Sequence, residues 1–198
     1  MDDTRLQLAR SEFILGGQKS GKSRRAERLA RDWLAQSASH HAVLIATAQP
    51  WDEEMRERIK RHQADRAARV PRMRTVEEPL ALAQKITEHS RADTLVVVDC
   101  LTLWLTNWLL PAAHDFESNR PPARVDSSRV AILLEAIGAA PGPVVLVGNE
   151  IGLGVIPMGA EVRAFVDALG CLNQDVARVC ERVTLMAAGL PLTLKDAG

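Results

Sequence analysis

Short runs of continuously apolar residues alternate along this chain with longer stretches in which apolar positions recur every three or four residues. The runs at 12–15, 42–47, 94–99, 143–147 and 183–187 have the length and the Val, Ile and Leu content of buried strands. The periodic stretches at 20–36, 52–68, 79–90, 126–139 and 161–181 predict helices, with a further helix-like stretch at 101–110 and a short terminal strand at 192–195. Gly16-Gly17 stops the first strand, and Pro50 with Asp52 marks the start of the charged second helix. Residues 111–124, with Pro111, Pro121 and Pro122, break every period and predict a surface loop.

Strands that are apolar throughout and alternate with helices predict a parallel sheet buried on both faces, hence the α/β class. In such a sheet ligands gather beyond the carboxyl ends of the strands. A polar tail (1–11) followed by one domain (12–198) accounts for the whole pattern, with neither an internal repeat nor a second core.

Composition sharpens this. The chain has 198 residues, 25 Lys and Arg against 25 Asp and Glu, and 46% hydrophobic residues, as expected of a globular domain. No apolar run approaches the roughly 20 residues of a membrane span, and the acidic start lacks the apolar core of a signal peptide, so a cytoplasmic protein is expected. Cys100, Cys171 and Cys180 are odd in number, form no C-x-x-C pair, lie inside apolar periodic segments and read as buried reduced thiols. Charge is unevenly placed: residues 1–75 hold 16 Lys and Arg against 10 Asp and Glu, and the remainder 9 against 15. That favours an anionic ligand near the N-terminal half. Seven Phe and Trp with no Tyr leave little surface for stacking bases, which argues against nucleic acid.

The chemistry is clearest at Gly16-Gly17-Gln18-Lys19-Ser20-Gly21-Lys22-Ser23, which fits G-x-x-x-x-G-K-[ST] between a strand and a helix. Glycines there let successive backbone N–H groups converge on phosphate oxygens, and the helix N-terminus adds partial positive charge. All eight residues are candidate nucleotide contacts. Lys22 is expected to bridge the β- and γ-phosphates, and the Ser23 hydroxyl to ligate Mg²⁺. Asp99, ending the run Leu95-Val96-Val97-Val98, stands where a carboxylate would reach that Mg²⁺ and the nucleotide; the alternative is an Asp capping the next helix.

Several classes drop out. The Asn-Lys-x-Asp element that reads guanine in switch GTPases is missing, and so is a protein-kinase catalytic loop. Small-molecule kinases, ATPases, nucleotidyl transferases and nucleotide-dependent binding modules remain. On the second helix Met55, Ile59 and His62 follow 4 and 3 spacing, which predicts an inward-facing His62; by spacing alone it reads as a core histidine. Arg58, Arg61, Arg66 and Arg69 on that helix read as a solvated face with some capacity for phosphate.

Taken in order, Gly16 to Arg24, Ala46-Thr47, Asp52 to Met55 with Arg58-Ile59 and His62, Asp99-Cys100-Leu101-Thr102 through Asn107, Val147 to Pro157 and Asn173-Gln174 resemble the bifunctional adenosylcobinamide kinase / adenosylcobinamide-phosphate guanylyltransferase family of cobalamin synthesis. The resemblance implies a P-loop NTPase-like (RecA-like) mostly parallel sheet with helices on both faces. It implies two reactions: phosphorylation of adenosylcobinamide by ATP or GTP, then transfer of GMP from GTP to adenosylcobinamide phosphate through a guanylylated His62. The bare P-loop alternatives are a kinase without the transferase step and a nucleotide-dependent binding module. The resemblance also suggests an acidic nucleotide contact at Glu77 or Glu78, an active-edge position for Asn149 and Glu150, and trimers with active sites near subunit contacts. Arg61 stands where some members have a second histidine, and Val166 where a basic residue is frequent.

Overall fold

The computed structural model describes residues 7–109 and 127–197; the loop expected at 111–124, with His114, lies outside them. In chain order the elements are β1 (Ser11–Gly16), α1 (Lys22–Gln36), β2 (His41–Ala46), α2 (Glu53–Arg69), β3 (Met73–Glu77), α3 (Leu82–His89), β4 (Thr94–Asp99), α4 (Leu101–Leu109), α5 (Ser127–Ala139), β5 (Val144–Val147), α6 (Ala160–Val179), β6 (Arg182–Ala187) and β7 (Leu190–Asp196). The strands form one sheet in the order β3-β2-β4-β5-β1-β6-β7, parallel throughout except for the antiparallel β6–β7 pair.

Side-chain alternation divides the core in two. Phe13, Leu15, Val96, Val98, Val144 and Leu146 point to the face covered by α3 to α6. Their neighbours Ile14, Leu95, Val97, Val145 and Val147 point to the face covered chiefly by α1. Because both faces are covered there, the central strands β1, β2, β4 and β5 carry no polar alternation. Helix α1 buries Ala26, Leu29, Ala30 and Leu34, a stripe at helical spacing in which each large side chain contributes about 1.5–3 kcal/mol. At its base the fully buried Glu12 carboxylate on β1 accepts from Arg25 Nε at 2.8 Å and Thr184 Oγ1 at 2.8 Å.

Helix α2 is held differently. Asp52 caps it by accepting from the Met55 N–H at 2.7 Å, Glu53 and Glu54 occupy its first turn, and Arg66 and Arg69 its last. That arrangement suits the helix dipole. Among its residues only Arg66 is buried, and Arg69 pairs with Glu27 of α1 at 2.9 Å. The inward-facing His62 is therefore corrected: the side chain is exposed, and Met55 and Ile59 are only half-buried. Two apolar residues are too short a stripe to press a 17-residue helix against the sheet. Arg66 is corrected in the opposite sense, since it is buried rather than solvated.

Strand β3 was not expected. It is an edge strand of sequence Met73-Arg74-Thr75-Val76-Glu77 with only Met73 buried, so it carries no apolar run. Glu77 is therefore the last residue of a strand and does not lead directly into α3.

The three thiols differ in environment. Burial pushes Cys100 and Cys180 up from the ordinary 9.0 to about 12, while the expectation of a buried thiol is corrected at Cys171, which lies on the exposed side of α6. A disulfide-exchange reagent at pH 8 should titrate one thiol rapidly in the folded chain and all three after denaturation; three rapid thiols would contradict the burial. Raised thiol pKa values favour the fold below pH about 9, and that contribution should be lost as pH climbs from 9.0 toward about 12. Urea unfolding across that window, with Cys100→Ser and Cys180→Ser as references, measures the loss.

Candidate active site

Sheet register brings the candidate residues into one row. Ile14 pairs with Val147, Val147 with Asp99, Asp99 with Ala46, and Ala46 with Glu77. The loops that follow β1, β5, β4, β2 and β3 thus leave the sheet at the same level, along its carboxyl edge.

The loop after β1 has the backbone of a phosphate cradle. Gly16 and Gly21 adopt φ of 149° and 102°, and Lys19 adopts 56°. A Cβ on Gly16 would meet Met186 O at 2.4 Å and Ser20 Oγ at 2.6 Å, so glycine is required there on space as well as conformation. Gly17, Gln18 and Lys19 are exposed at the turn. Ser20 Oγ is buried without a hydrogen-bond partner. Gly21 occupies the N-cap position of α1 and offers no side chain, so the first-turn N–H groups of α1 are directed at the loop. Lys22 Nζ rests on Gly17 O at 2.5 Å. Burial lowers its pKa, while the charges of Cys100 and Asp99 raise it and Arg58 lowers it further. Lys22, Asp99 and Arg58 therefore share one electrostatic environment.

Asp99 ends β4 half-buried and also acts on Arg66 of α2, whose pKa is lowered first by burial and raised by Asp99, Glu27 and Glu77. Arg58, His62 and Arg66 stand at i, i+4 and i+8 and so share one face of α2. The two arginines that flank His62 are electrostatically coupled to Lys22 and Asp99 respectively. Gln63, next to His62, donates to Glu77 Oε1 at 3.1 Å. The structure separates the two candidate acids: Glu78 Oε1 accepts from the N–H groups of Leu80 and Ala81 at 3.0 and 2.8 Å and shapes the entry to α3, whereas Glu77 faces α2. Glu150 Oε1 accepts from Gly152 N at 2.9 Å within its own loop, and its N–H donates to Gly16 O at 3.1 Å.

Several residues at this edge act as ties that spacing did not reveal. Thr47 Oγ1 donates to Cys100 O at 2.7 Å and accepts from Cys100 N at 2.9 Å, joining the ends of β2 and β4. Asn107 Nδ2 donates to Thr47 O and Pro79 O at 2.9 and 3.0 Å. Asn149 N donates to Thr102 Oγ1 at 2.9 Å, and Asn173 Nδ2 donates to Asn149 O at 3.1 Å. Thr47, Thr102, Asn107, Asn149 and Asn173 all lie in the blocks that carry the family resemblance, but spacing gives no sign of which backbone groups they meet.

The donor set suits a small hard cation. The Ser23 hydroxyl and Asp99 carboxylate are oxygen donors of the kind Mg²⁺ takes when phosphates and water supply its remaining ligands. Among the described residues no group of three or more His, Cys, Asp or Glu is placed to form an all-protein metal cage.

Known proteins resemble the chain along almost its whole length. A family profile described as cobinamide kinase / cobinamide phosphate guanyltransferase matches residues 12–194. The chain is 50% identical over 185 residues to the bifunctional adenosylcobalamin biosynthesis protein CobP of Pseudomonas aeruginosa, covering 93% of this chain and 96% of that protein. It is 33% identical over 191 residues to CobU of Escherichia coli K12, covering 92% and 98%. Among solved structures, the flagellar accessory protein FlaH of Methanocaldococcus jannaschii (TM-score 0.52, 14% identity, 98% and 86% covered) and a protein of Pyrococcus horikoshii OT3 (TM-score 0.56, 8% identity, 98% and 90% covered) share the fold.

The cradle generates a direct prediction. Gly16→Ala should weaken binding of a fluorescent ATP analogue by about tenfold or more, about 1.4 kcal/mol, while Gly17→Ala, whose Cβ would meet nothing within 4 Å, should change it little. Equal effects of the two would contradict the steric account.

Proposed function

The chain belongs to the cobinamide kinase / cobinamide phosphate guanyltransferase family, and from that membership we propose how one sheet edge runs both transfers. In the kinase step a nucleoside triphosphate lies on Gly16 to Ser23 and gives its γ-phosphoryl group to the hydroxyl on the aminopropanol arm of adenosylcobinamide. Lys22 leaves Gly17 O for the β- and γ-phosphates, and the N–H groups at the start of α1 hold the leaving phosphates. Ser23 and Asp99 would hold Mg²⁺, which when bound would neutralise charge on the transferring group. The protein's part is alignment and charge balance, because phosphoryl transfer needs little covalent help.

In the second reaction the neutral His62 imidazole attacks the α-phosphorus of GTP, a P–N bond forms, and the bond to the leaving pyrophosphate breaks. A phosphate oxygen of adenosylcobinamide phosphate then attacks the same phosphorus and releases the imidazole. This divides one difficult displacement into two easier ones. The observation that carries the assignment is the face shared by Arg58, His62 and Arg66, whose arginines are coupled to Lys22 and Asp99. Exposure of the ring and the scant burial of α2 are compatible with the helix approaching a triphosphate whose charge Arg58 and Arg66 attract.

We further propose that copies of the chain assemble, as trimers by the family resemblance. The loop after β5 exposes Leu153 at 82%, Val155 at 96%, Ile156 at 78% and Met158 at 96%, an apolar stretch beside the active edge that suits coverage by a second copy. A cytoplasmic setting fits the reduced thiols and the triphosphate substrates; among the described residues no helix is long and apolar enough to cross a membrane.

Two measurements test these readings. His62→Ala should keep phosphorylation of adenosylcobinamide within about threefold, while formation of adenosylcobinamide-GDP falls by about a thousandfold or more; retained transfer would remove His62 from the mechanism. By light scattering the chain should have a multiple of its monomer mass, reduced to monomer by Leu153→Asp with Ile156→Asp; a monomeric wild type would contradict the assembly.

A further inference from the structure

A second concavity lies at the amino ends of β2 and β4, opposite the phosphate loop. The ends of β2 are five residues apart, so the two sites are separated by about 17 Å of strand. Its volume is about 330 Å³, and its lining includes His41, Arg72, Arg74, Glu88, His89 and Arg91. This is the low end of ligand-pocket volumes and basic in lining.

The positive charge there is not cancelled locally. Arg74 and Arg91 have no carboxylate within ion-pairing distance among the described residues. Glu88, the acid in the lining, is engaged along α3: its Oε2 accepts from Lys85 Nζ at 2.6 Å and its Oε1 from Gln84 Nε2 at 2.7 Å. Arg72 is fixed by the carbonyls of Leu34, Ala38 and His40 at 3.1, 3.4 and 3.2 Å, so it contributes field rather than a mobile hand. Arg91 Nη1 donates to Ser90 O at 2.6 Å.

Arg74 Nη2 lies 3.1 Å from His89 Nδ1. Since a guanidinium only donates, the contact is a hydrogen bond when Nδ1 carries the lone pair, which leaves the proton on Nε2 as a donor. Burial first, and then Arg74, lower the pKa of His89, favouring that neutral form. The cavity thus offers Arg74, Arg91 and the His89 Nε2–H as donors, with Arg72 behind them.

The geometry points to a second anion site that takes a compact, multiply charged phosphate of the diphosphate class. Guanidinium forks match phosphate oxygens in geometry and charge. The rings in the lining belong to His41 and His89, and His89 is already bonded edge-on to Arg74, so the site lacks an apolar aromatic platform for a nucleobase. A free diphosphate and the diphosphate of a nucleotide share the recognised chemistry, and the lining favours the free ion. The inference does not depend on the transfer mechanism, because no residue at the carboxyl edge enters it.

Calorimetry with inorganic pyrophosphate on the full chain tests it, the titrant being metal-free for the Lys22→Ala chain and pre-equilibrated with the same Mg²⁺ as the protein for the filled wild type. Lys22→Ala disables the phosphate loop; wild type saturated with Mg²⁺ and a non-hydrolysable ATP analogue gives the same reading without a substitution there. Both should bind one pyrophosphate per chain. Arg74→Gln with Arg91→Gln, in the Lys22→Ala chain and in the saturated wild type, should weaken that binding by about tenfold or more. ADP should bind the Lys22→Ala chain within about threefold of pyrophosphate, since the base adds no contact. Absence of binding when the phosphate loop is disabled or filled, undiminished binding in the double variant, or ADP binding more than about tenfold tighter would each overturn the proposal.

Discussion

Parallel register across five strands is the constraint on which the rest of this molecule depends. Because Ile14, Val147, Asp99, Ala46 and Glu77 lie in one hydrogen-bonded row, the phosphate loop, the Asp99 carboxylate and the Glu77 carboxylate all emerge at the same edge. A slip of one residue in any pair would turn that strand's core side chains to the opposite face. The division of apolar residues between the two core faces therefore protects the site as well as the fold. Thr47, Asn107, Thr102 and Asn173 reinforce the edge by hydrogen-bonding backbone groups where the strands end, in a setting where an unsatisfied buried group would cost about 1–3 kcal/mol.

Against this rigid edge stands a loosely attached helix. Helix α1 is fixed by a full apolar stripe, whereas α2 is fixed by an N-cap, the buried Arg66 and the Arg69–Glu27 pair. A half-exposed pair of that kind contributes about 0–1 kcal/mol. The division of labour suits the two reactions proposed at one cradle: the glycine loop after β1 is built into the sheet edge, while α2, proposed to carry the nucleophile His62, can approach or withdraw at little cost in buried surface.

Legibility in the sequence followed the strength of the physical signal. Buried strands, α1 and the phosphate loop were readable because each rests on a local rule: continuous apolarity, helical spacing, or glycines where φ is positive. β3 escaped because an edge strand with one buried residue has no apolar run. His62 was placed inward because Met55 and Ile59 sit at helical spacing, although two half-buried residues do not make a packed face. The coupling of Arg58 and Arg66 to the site needed the fold to bring Lys22 and the carboxyl ends of β3 and β4 near α2, and the Asn and Thr ties needed partners 24 to 60 residues away. The Glu78 and Glu150 carboxylates accept backbone N–H groups two or three residues on, while Asn149 is tied through its own backbone N–H and C=O to Thr102 and Asn173.

The central claim is that one cradle presents a triphosphate to a histidine on α2. Its most direct test is the intact mass of the full chain after incubation with GTP and Mg²⁺ and no corrinoid, followed by peptide mapping under conditions that preserve phosphoramidates. The account predicts a mass increase of one GMP residue carried by the peptide containing His62 and discharged on adding adenosylcobinamide phosphate. An unmodified chain, or a GMP residue on any other side chain, would contradict it.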